Sequence, residues 1–578
     1  MQGSSSSSCV IPSDDIRGAD PPPARRIVAA HRLPLRAVPD PDSPFGLAFS
    51  LDPDALPLQL SRGLPAPVTF VGALPASAAS AAPSDELDAY LLENFSCLPV
   101  SIDGERHAAF YDGFCKRYLW PLLHCTLPHG DLGFDAAAYT SFLAVNRKFA
   151  DRVVEVLSPE NGDLVVVHDY HLWVLPAFLR RKCPHAGVGF FLHSPFPCDE
   201  FLDTSPVRGV LLRALLNADL VGFHTFDHAS HFLSSCFRRL GVSYGDLHRG
   251  HISLGYHGRT VLVTVLAVGV DVGHLRAALA SPEAAAKARE IADAYRGRML
   301  MVGVDDVDLF KGVDLKLLAM ERLLDEYPDM RGHVVLVQIN NPARTRGRDI
   351  DSVRGETETI RRRVNSRFGT ADYSPVVVVD GPVPMSEKAA YYAAAECCVV
   401  SAVRDGLNRI PYFYTVCREG GPAGAAVADG GDSPAQGTSA VVLSEFAGCS
   451  PSLGGAFLVN PWNVRAVAEA MYDALTMRAE DKQASHRRRY SYLVAHDAVA
   501  WARSFDEGLR LACERRTPTR FIGVGFGMSY RAVAVDASSN MLRQELGGPA
   551  YRAAARRLNL LDNDETVEDE ESLGHWLL

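Results

Sequence analysis

Short apolar runs bounded by polar or turn-forming residues recur along this chain and predict β-strands covered on both faces. A first series comprises Arg26–Ala30, Val68–Val71, Leu164–Val167, Val188–Leu192, Leu220–Phe223 and Val261–Val268. A linker is expected near residues 270–282. A second series follows: Met299–Val304, Val334–Ile339, Val376–Val379, Cys398–Ser401, Ala440–Leu443 and Ala456–Val459. Between the runs the apolar positions switch to a helical repeat, as in Asp314–Leu324, where Leu315, Leu318, Ala319 and Leu323 share a face. Two blocks of β–α alternation predict an α/β protein with two doubly wound, Rossmann-like domains facing a central cleft. Their expected extents are residues 25–270 and 271–500, followed by a C-terminal extension over 501–578 with a strand-like run at Tyr530–Val535. Residues 1–24, rich in Ser and Pro, predict a disordered segment. Pro75–Pro83 and the Gly/Pro-rich Glu419–Gly437 read as loops, the second of them mobile.

Polar residues interrupt the pattern most sharply at two strand ends. Leu164–Val167 runs into His168-Asp169-Tyr170-His171, and Val188–Leu192 into His193-Ser194-Pro195-Phe196-Pro197. Ligands of open α/β sheets bind beyond the carboxyl ends of parallel strands. Two strands delivering histidine there point to the floor of a site; a pair of buried, hydrogen-bonded histidines is the alternative reading.

Composition narrows the function classes. The 578 residues are 47% hydrophobic and 22% charged, ordinary for a globular protein, and long enough for several domains. A net charge of −11 argues against a general nucleic-acid-binding surface. Much of that charge lies in Asp562–Glu571, while the triplets Arg361–Arg363 and Arg487–Arg489 read as solvated helix faces. Twelve cysteines without a C-x-x-C pair predict a reduced, cytoplasmic protein with no structural zinc. No apolar run approaches the ~20 residues of a membrane span, so no membrane partner is expected.

Several ordered motifs between Arg26 and Ala500 together resemble the trehalose-6-phosphate synthase family. They are HRLP (31–34), YDGFCKRYLWPLLH (111–124), HDYHLWVLP (168–176), FLHSPFP (191–197), ADLVGFHTFDHASHFLSSC (218–236), KG (311–312), RDGLN (404–408), LSEFAGCS (443–450) and LVNPWN (458–463). The resemblance implies the GT-B glycosyltransferase fold, with the acceptor in the first domain and the nucleotide sugar mostly in the second. It implies retaining transfer of glucose from UDP-glucose to glucose 6-phosphate, without a metal or other cofactor. By the same resemblance, Arg32, Tyr111, Trp120 and Arg344 meet the acceptor phosphate. Asp169 holds acceptor hydroxyls, His193 stands beside the transferred glucose, and Asp405 binds donor hydroxyls. Lys311, Gly406, Leu407 and Asn408 complete the donor side, and His193, Asp405 and Lys311 are the candidate catalytic residues. An arginine fork suits phosphate because it donates two parallel charge-assisted bonds. Without the resemblance, Tyr111 and Trp120 read as core residues on nearby turns of one helix.

The donor side departs from the family pattern. Where the family reads R-L-D-Y-x-K-G, this chain has Asp306-Val-Asp-Leu-Phe-Lys311-Gly312. At ~5 Å and an effective dielectric of ~20 a unit charge is worth roughly 3 kcal/mol, so reversing it opposes a diphosphate by up to about 6 kcal/mol. Arg409 and Phe413 occupy positions where the family binds UDP and the ribose hydroxyls, and phenylalanine accepts no hydrogen bond. The family's Gly-Gly loop corresponds to VPDPDSPFGLAFSLDPDAL, with one glycine. These departures resemble the plant class II members, which join a phosphatase-like domain to the synthase-like one. LLDNDET (560–566) resembles the opening strand of such a phosphatase, but twelve residues after it leave no room for that domain, so no phosphatase activity is expected. Two readings follow: a glucosyltransferase with weak or lost catalysis, or a non-catalytic sugar-phosphate-binding protein acting through regulatory protein partners.

Overall fold

Valine, isoleucine and phenylalanine concentrate in the short runs, and each run of the two series forms a strand in the computed structural model. It describes residues 24–65, 67–78, 83–126, 133–248, 250–343, 348–420, 437–514, 520–524 and 531–535. Outside them lie all but Ala24 of the segment expected to be disordered, residues 79–82, Arg344, residues 421–436 of the Gly/Pro-rich loop, and LLDNDET with its acidic tail.

The first half contributes β1 (Arg26–Arg32), β2 (Leu35–Pro39), β3 (Leu47–Leu51), β4 (Val68–Ala73), β5 (Cys97–Pro99), β6 (Leu164–His168), β7 (Gly187–Phe191), β8 (Leu220–Phe223), β9 (Tyr244–His248), β10 (His251–Tyr256) and β11 (Arg259–Val265). Nine of them form one sheet in the order β5-β4-β1-β6-β7-β8-β11-β10-β9. The second half contributes β12 (Met299–Asp306), β13 (Val334–Asn341), β14 (Val376–Asp380), β15 (Cys397–Val400), β16 (Ala440–Ser444) and β17 (Phe457–Val459), in the order β14-β13-β12-β15-β16-β17, parallel throughout. A further antiparallel pair joins β18 (Arg520–Val524) to β19 (Arg531–Val535), the second within the expected Tyr530–Val535. Among the described residues no helix is long and apolar enough to cross a membrane.

Several features differ from the sequence expectation, among them Arg489 of the triplet expected to be solvated, which is buried and donates to the Ser439 and Gly455 carbonyls. The segment in place of a Gly-Gly loop is an antiparallel hairpin, β2 on β3. Its strands alternate buried and exposed residues, so only one face contributes apolar signal. The run expected over Val261–Val268 ends at Val265 and pairs antiparallel with β10, whose more polar sequence gave no strand signal. The expected linker contains the helix Val272–Leu279, capped by Asp271, whose side chain accepts from the His274 N–H.

The helix Ala498–Glu514, the return helix, runs across the expected boundary at residue 500 and packs back on the first sheet. Its buried face carries Trp501, Ala502, Phe505, Leu509 and Ala512, with Phe505 edge-on to Phe191 of β7. Gly189 of β7 and Gly222 of β8 make its seat: a Cβ at either would come within 3.0 Å of the Phe505 ring. The buried Arg26 guanidinium donates two hydrogen bonds to Asp506 and pins the helix to β1. Removing one member of a buried pair leaves an uncompensated charge. Asp506→Ala is therefore expected to cost about 3–5 kcal/mol, read as a lower midpoint in urea denaturation.

Candidate active site

In the first half β6 and β7 are parallel neighbours with His168 level with Phe191, so their carboxyl ends open side by side. Asp169 turns away from β6 at φ +69°, unusual for a residue other than glycine. Hydrogen bonds hold it there, its Oδ1 accepting from the His193 N–H and the Ser194 hydroxyl at 3.2 Å each. His168 Nδ1 and His193 Nε2 lie 2.8 Å apart. Burial lowers both imidazoles, His168 to about 4, and the His168 and His224 neighbours lower His193 further. Both rings are neutral at physiological pH, so one donates and the other accepts. The paired-histidine alternative is thus true of His168, while its partner also borders the cleft.

Gly104–Leu123 is one continuous helix whose middle, Ala109–Leu119, is wound as a π-helix. The i→i+5 bonding widens the turn and brings Tyr111 and Trp120 around one ammonium. Lys116 Nζ lies 4.2 Å from the Trp120 ring centre and 5.6 Å from that of Tyr111. The Arg32 guanidinium faces Tyr111 at 5.8 Å, and His31 stacks between Tyr111 and His171 at 4.8 Å from each. Burial, then Arg32, holds His31 well below the usual imidazole range. Arg32 and Lys116 are therefore the cations of this wall.

The second half repeats the device. β12 and β15 are parallel neighbours, and the turns that leave them carry Lys311 and Asp405. Lys311 Nζ donates to Asp405 Oδ2 at 2.6 Å, and Asn408 Nδ2 donates to the same oxygen at 3.1 Å. Burial opposes both charges, but their mutual attraction outweighs it, raising the lysine and lowering the aspartate. Gly312, at φ +59°, lets this turn approach β15: a Cβ there would sit 2.3 Å from the Ser401 carbonyl.

The two halves touch across these ends. Trp120 Nε1 donates to Asp308 at 2.9 Å, and His124 stacks on Phe310 at 4.4 Å. Arg404 donates to the Phe196 carbonyl at 3.2 Å, and Arg409 to Gln59 Oε1 at 3.1 Å. Gly406 comes close to the first half, since a Cβ there would lie 2.4 Å from the His193 carbonyl oxygen. Gly406→Ala is expected to force the halves apart, visible as a larger radius of gyration in solution scattering and weaker ligand binding.

A profile of glycosyltransferase family 20 matches residues 25–510. The chain belongs to glycosyltransferase family 20. Among its curated relatives are Arabidopsis thaliana alpha,alpha-trehalose-phosphate synthase [UDP-forming] 5, 48% identical over 554 residues, and the probable synthase 8, 47% identical over 555. Each alignment spans 95% of this chain and 64% of the relative, so the chain spans under two thirds of those proteins. Among solved structures, the Burkholderia xenovorans synthase in complex with glucose-6-phosphate superimposes with a TM-score of 0.71 at 25% identity, covering 84% of this chain and all of that one. The N-terminal domain of a Candida albicans trehalose-6-phosphate phosphatase superimposes with a TM-score of 0.72 at 25% identity, covering 86% of this chain and 98% of that one. The architecture is GT-B.

In this family 20 chain, Arg32, Tyr111, Trp120, Asp169 and His193 stand on the first half, and Lys311, Asp405, Gly406 and Asn408 in the turns after β12 and β15 of the second. Leu407 packs inward, with its carbonyl accepting from the Cys449 N–H. The positions that depart from the family pattern have partners of their own. Asp306 Oδ1 accepts from Asn341 Nδ2 at 3.1 Å, and its charge acts on the half-buried Lys388, which burial lowers. Phe413 is buried in the helix Ile410–Gly420 beneath the Arg409 guanidinium, 5.1 Å from its ring centre. Lys116, His124, Asp308 and Lys388 were not singled out from sequence. Lys116 carried one signal, its place between Tyr111 and Trp120; the π-wound register that makes it central has none.

Proposed function

We propose that this chain is the synthase-type half of a trehalose-phosphate synthase, built for retaining transfer of glucose from UDP-glucose to glucose 6-phosphate, with a weakened hold on the donor. One observation carries the reading: the His193–Asp169 pair and the Lys311–Asp405 pair meet across Gly406, each at adjacent parallel strand ends. The Arg32–Lys116–Tyr111–Trp120 wall suits a sugar phosphate, as the relative solved with glucose-6-phosphate suggests. In the reaction, the bond from the anomeric carbon to the diphosphate oxygen breaks and one to an acceptor hydroxyl oxygen forms. The hydroxyl proton leaves with UDP. Asp169 and Asp405 already accept hydrogen bonds from their neighbours, so they orient sugar hydroxyls rather than attack. Lys311, Arg404 and Arg409 supply the positive charge for the leaving diphosphate, a role assigned here to side chains with no metal or cofactor. The compartment proposed is the cytoplasm, in keeping with described cysteines that are all free.

A second reading, a non-catalytic sugar-phosphate binder with regulatory protein partners, is favoured by Asp306, Phe413 and the β2–β3 hairpin. A turnover assay for UDP release with glucose 6-phosphate as acceptor separates the two. Calorimetric titration is expected to give measurable binding of glucose 6-phosphate and weak binding of UDP-glucose. The double variant Asp306→Arg, Phe413→Glu is expected to tighten UDP-glucose binding by at least tenfold, about 1.4 kcal/mol. Tight UDP-glucose binding by the unaltered chain would sink the donor-defect account.

A further inference from the structure

At the end of the first sheet opposite the cleft lies a cavity of about 240 Å³, lined by Arg213, Leu240, Ser243, Tyr256 and His257 among others. Arg213 comes from the helix Arg208–Leu215, and Leu240 ends the helix Phe226–Leu240. Tyr256 and His257 belong to the tight turn that joins β10 to β11. β11 runs parallel to β8 with Leu262 level with Leu220, so this turn stands at the amino ends of the parallel strands. The fifteen residues of Phe226–Leu240 span about 22 Å between the cleft end and this one. The turn is left-handed at both central residues, His257 at φ +48° and Gly258 at φ +75°, which holds His257 on the cavity lining. Arg213 is half-buried, and its Nε is shielded from water with no hydrogen-bond partner. Among the described residues no carboxylate pairs with its guanidinium, and the lining holds no Asp or Glu. Gly209, one turn earlier, makes room for the side chain: a Cβ there would lie 3.1 Å from Arg213 Nη2. A shielded donor left unpaired costs stability, and here it faces a cavity rather than a packed core.

We infer that this cavity is a second ligand site, in which Arg213 anchors a small metabolite through an oxyanion, either a phosphate or a carboxylate. A guanidinium offers such a group parallel charge-assisted hydrogen bonds. The Ser243 hydroxyl, the Tyr256 phenol and the His257 imidazole give the rest of the ligand a polar surround, while Leu240 and Val242 add an apolar patch. The volume sets the size. It exceeds the ~30 Å³ share of one water several-fold and falls below the ~300 Å³ at which drug-sized pockets begin, so it fits an oxyanion on a body of a few carbons. The helix end beside it does not cancel the anchor. A helix carboxyl terminus carries roughly half a negative charge against the full charge of the guanidinium. The Gly241 and Val242 N–H groups also donate to the Phe237 and Cys236 carbonyls at 3.1 and 3.3 Å, which occupies part of that terminus. The site is independent of what the cleft binds.

The test follows amide hydrogen exchange of the full chain by mass while inorganic phosphate, acetate or uncharged glucose is titrated in. Exchange over residues 240–257 is expected to slow with phosphate or with acetate, whichever oxyanion the site prefers, and not with glucose. Arg213→Gln should shift the anion concentration for half-maximal protection upward at least tenfold, and Arg213→Lys, which keeps the charge without the fork, should fall between. Because the guanidinium is unpaired, Arg213→Gln is expected to leave the thermal midpoint in anion-free buffer no lower than the parent's, while the preferred anion raises the parent's midpoint more than the variant's. Equal responses of parent and Arg213→Gln, protection confined to the cleft helix at residues 104–124, or no response to either anion would overturn the proposal.

Discussion

Acidification from pH 7 to pH 5 is expected to lower the protein's stability steeply, well before its carboxylates titrate. Histidines in an unfolded chain titrate near 6.5. In the fold, burial holds His168 down to about 4 and His124, His224 and His228 down to about 3. Between those values the unfolded chain binds protons that the folded chain refuses, so stability rises with pH and falls on acidification. At pH 5 each such histidine has withdrawn on the order of 2 kcal/mol relative to neutral pH. Four of them withdraw about 8 kcal/mol, comparable with the whole net stability of an ordinary domain. His31 and His193, both lowered well below the usual range, add to the trend. Asp169 and Asp308, whose carboxyls burial raises, act in the opposite direction but are outnumbered. Scanning calorimetry at pH 7, 6 and 5 reads the effect as a steep fall of the unfolding midpoint, and a flat profile would contradict it.

The second large effect concerns Lys311 and Asp405. Their side chains are only 15% and 13% exposed, so each neutralises a charge that is otherwise nearly stranded. Asp405→Asn is expected to lower stability by about 2–4 kcal/mol, somewhat less than for a fully buried pair, and to abolish donor binding. Lys311→Met should do comparable damage. The combined variant should cost less than the sum of the two, because neither charge then remains alone. Chemical denaturation of the four proteins supplies the cycle, and strict additivity would mean that the pair is not coupled. Donor binding should stay lost in the double variant even as stability recovers, which separates holding the fold from holding the ligand.

The legibility of this chain followed the physics of each segment. Parallel strands buried on both faces declare themselves as apolar runs, so β6, β7, β12 and β15 could be read directly. The polar residues at their ends marked both sides of the cleft. Hairpin strands with one wet face, β2, β3 and β10, carried half that signal and were missed. The wall of Arg32, Tyr111, Lys116 and Trp120 was readable only in part. Tyr111 and Trp120 were identified through family resemblance, while Lys116 owes its place to π-winding, which no residue spacing announces. The contacts from Trp120 to Asp308 and from Arg409 to Gln59 join residues far apart in sequence, and only the packing of the two halves reveals them. At the donor positions a substitution could be read as a lost charge or hydrogen bond. Its new partners, Asn341 for Asp306 and Arg409 for Phe413, required coordinates.

The return helix gives the order of synthesis a structural meaning. Strands β1 to β11 leave the ribosome long before Ala498–Glu514, yet that helix covers Gly189, Phe191 and Gly222 and supplies the counter-charge to Arg26. Until it emerges, the first sheet presents a bare apolar strip and a buried-type arginine to the cell. The nascent chain therefore passes through a long interval in which its first half is assembled but unsealed, a natural client for a chaperone. A chain stopped just short of Ala498 would retain every cleft residue described above and still be expected to aggregate.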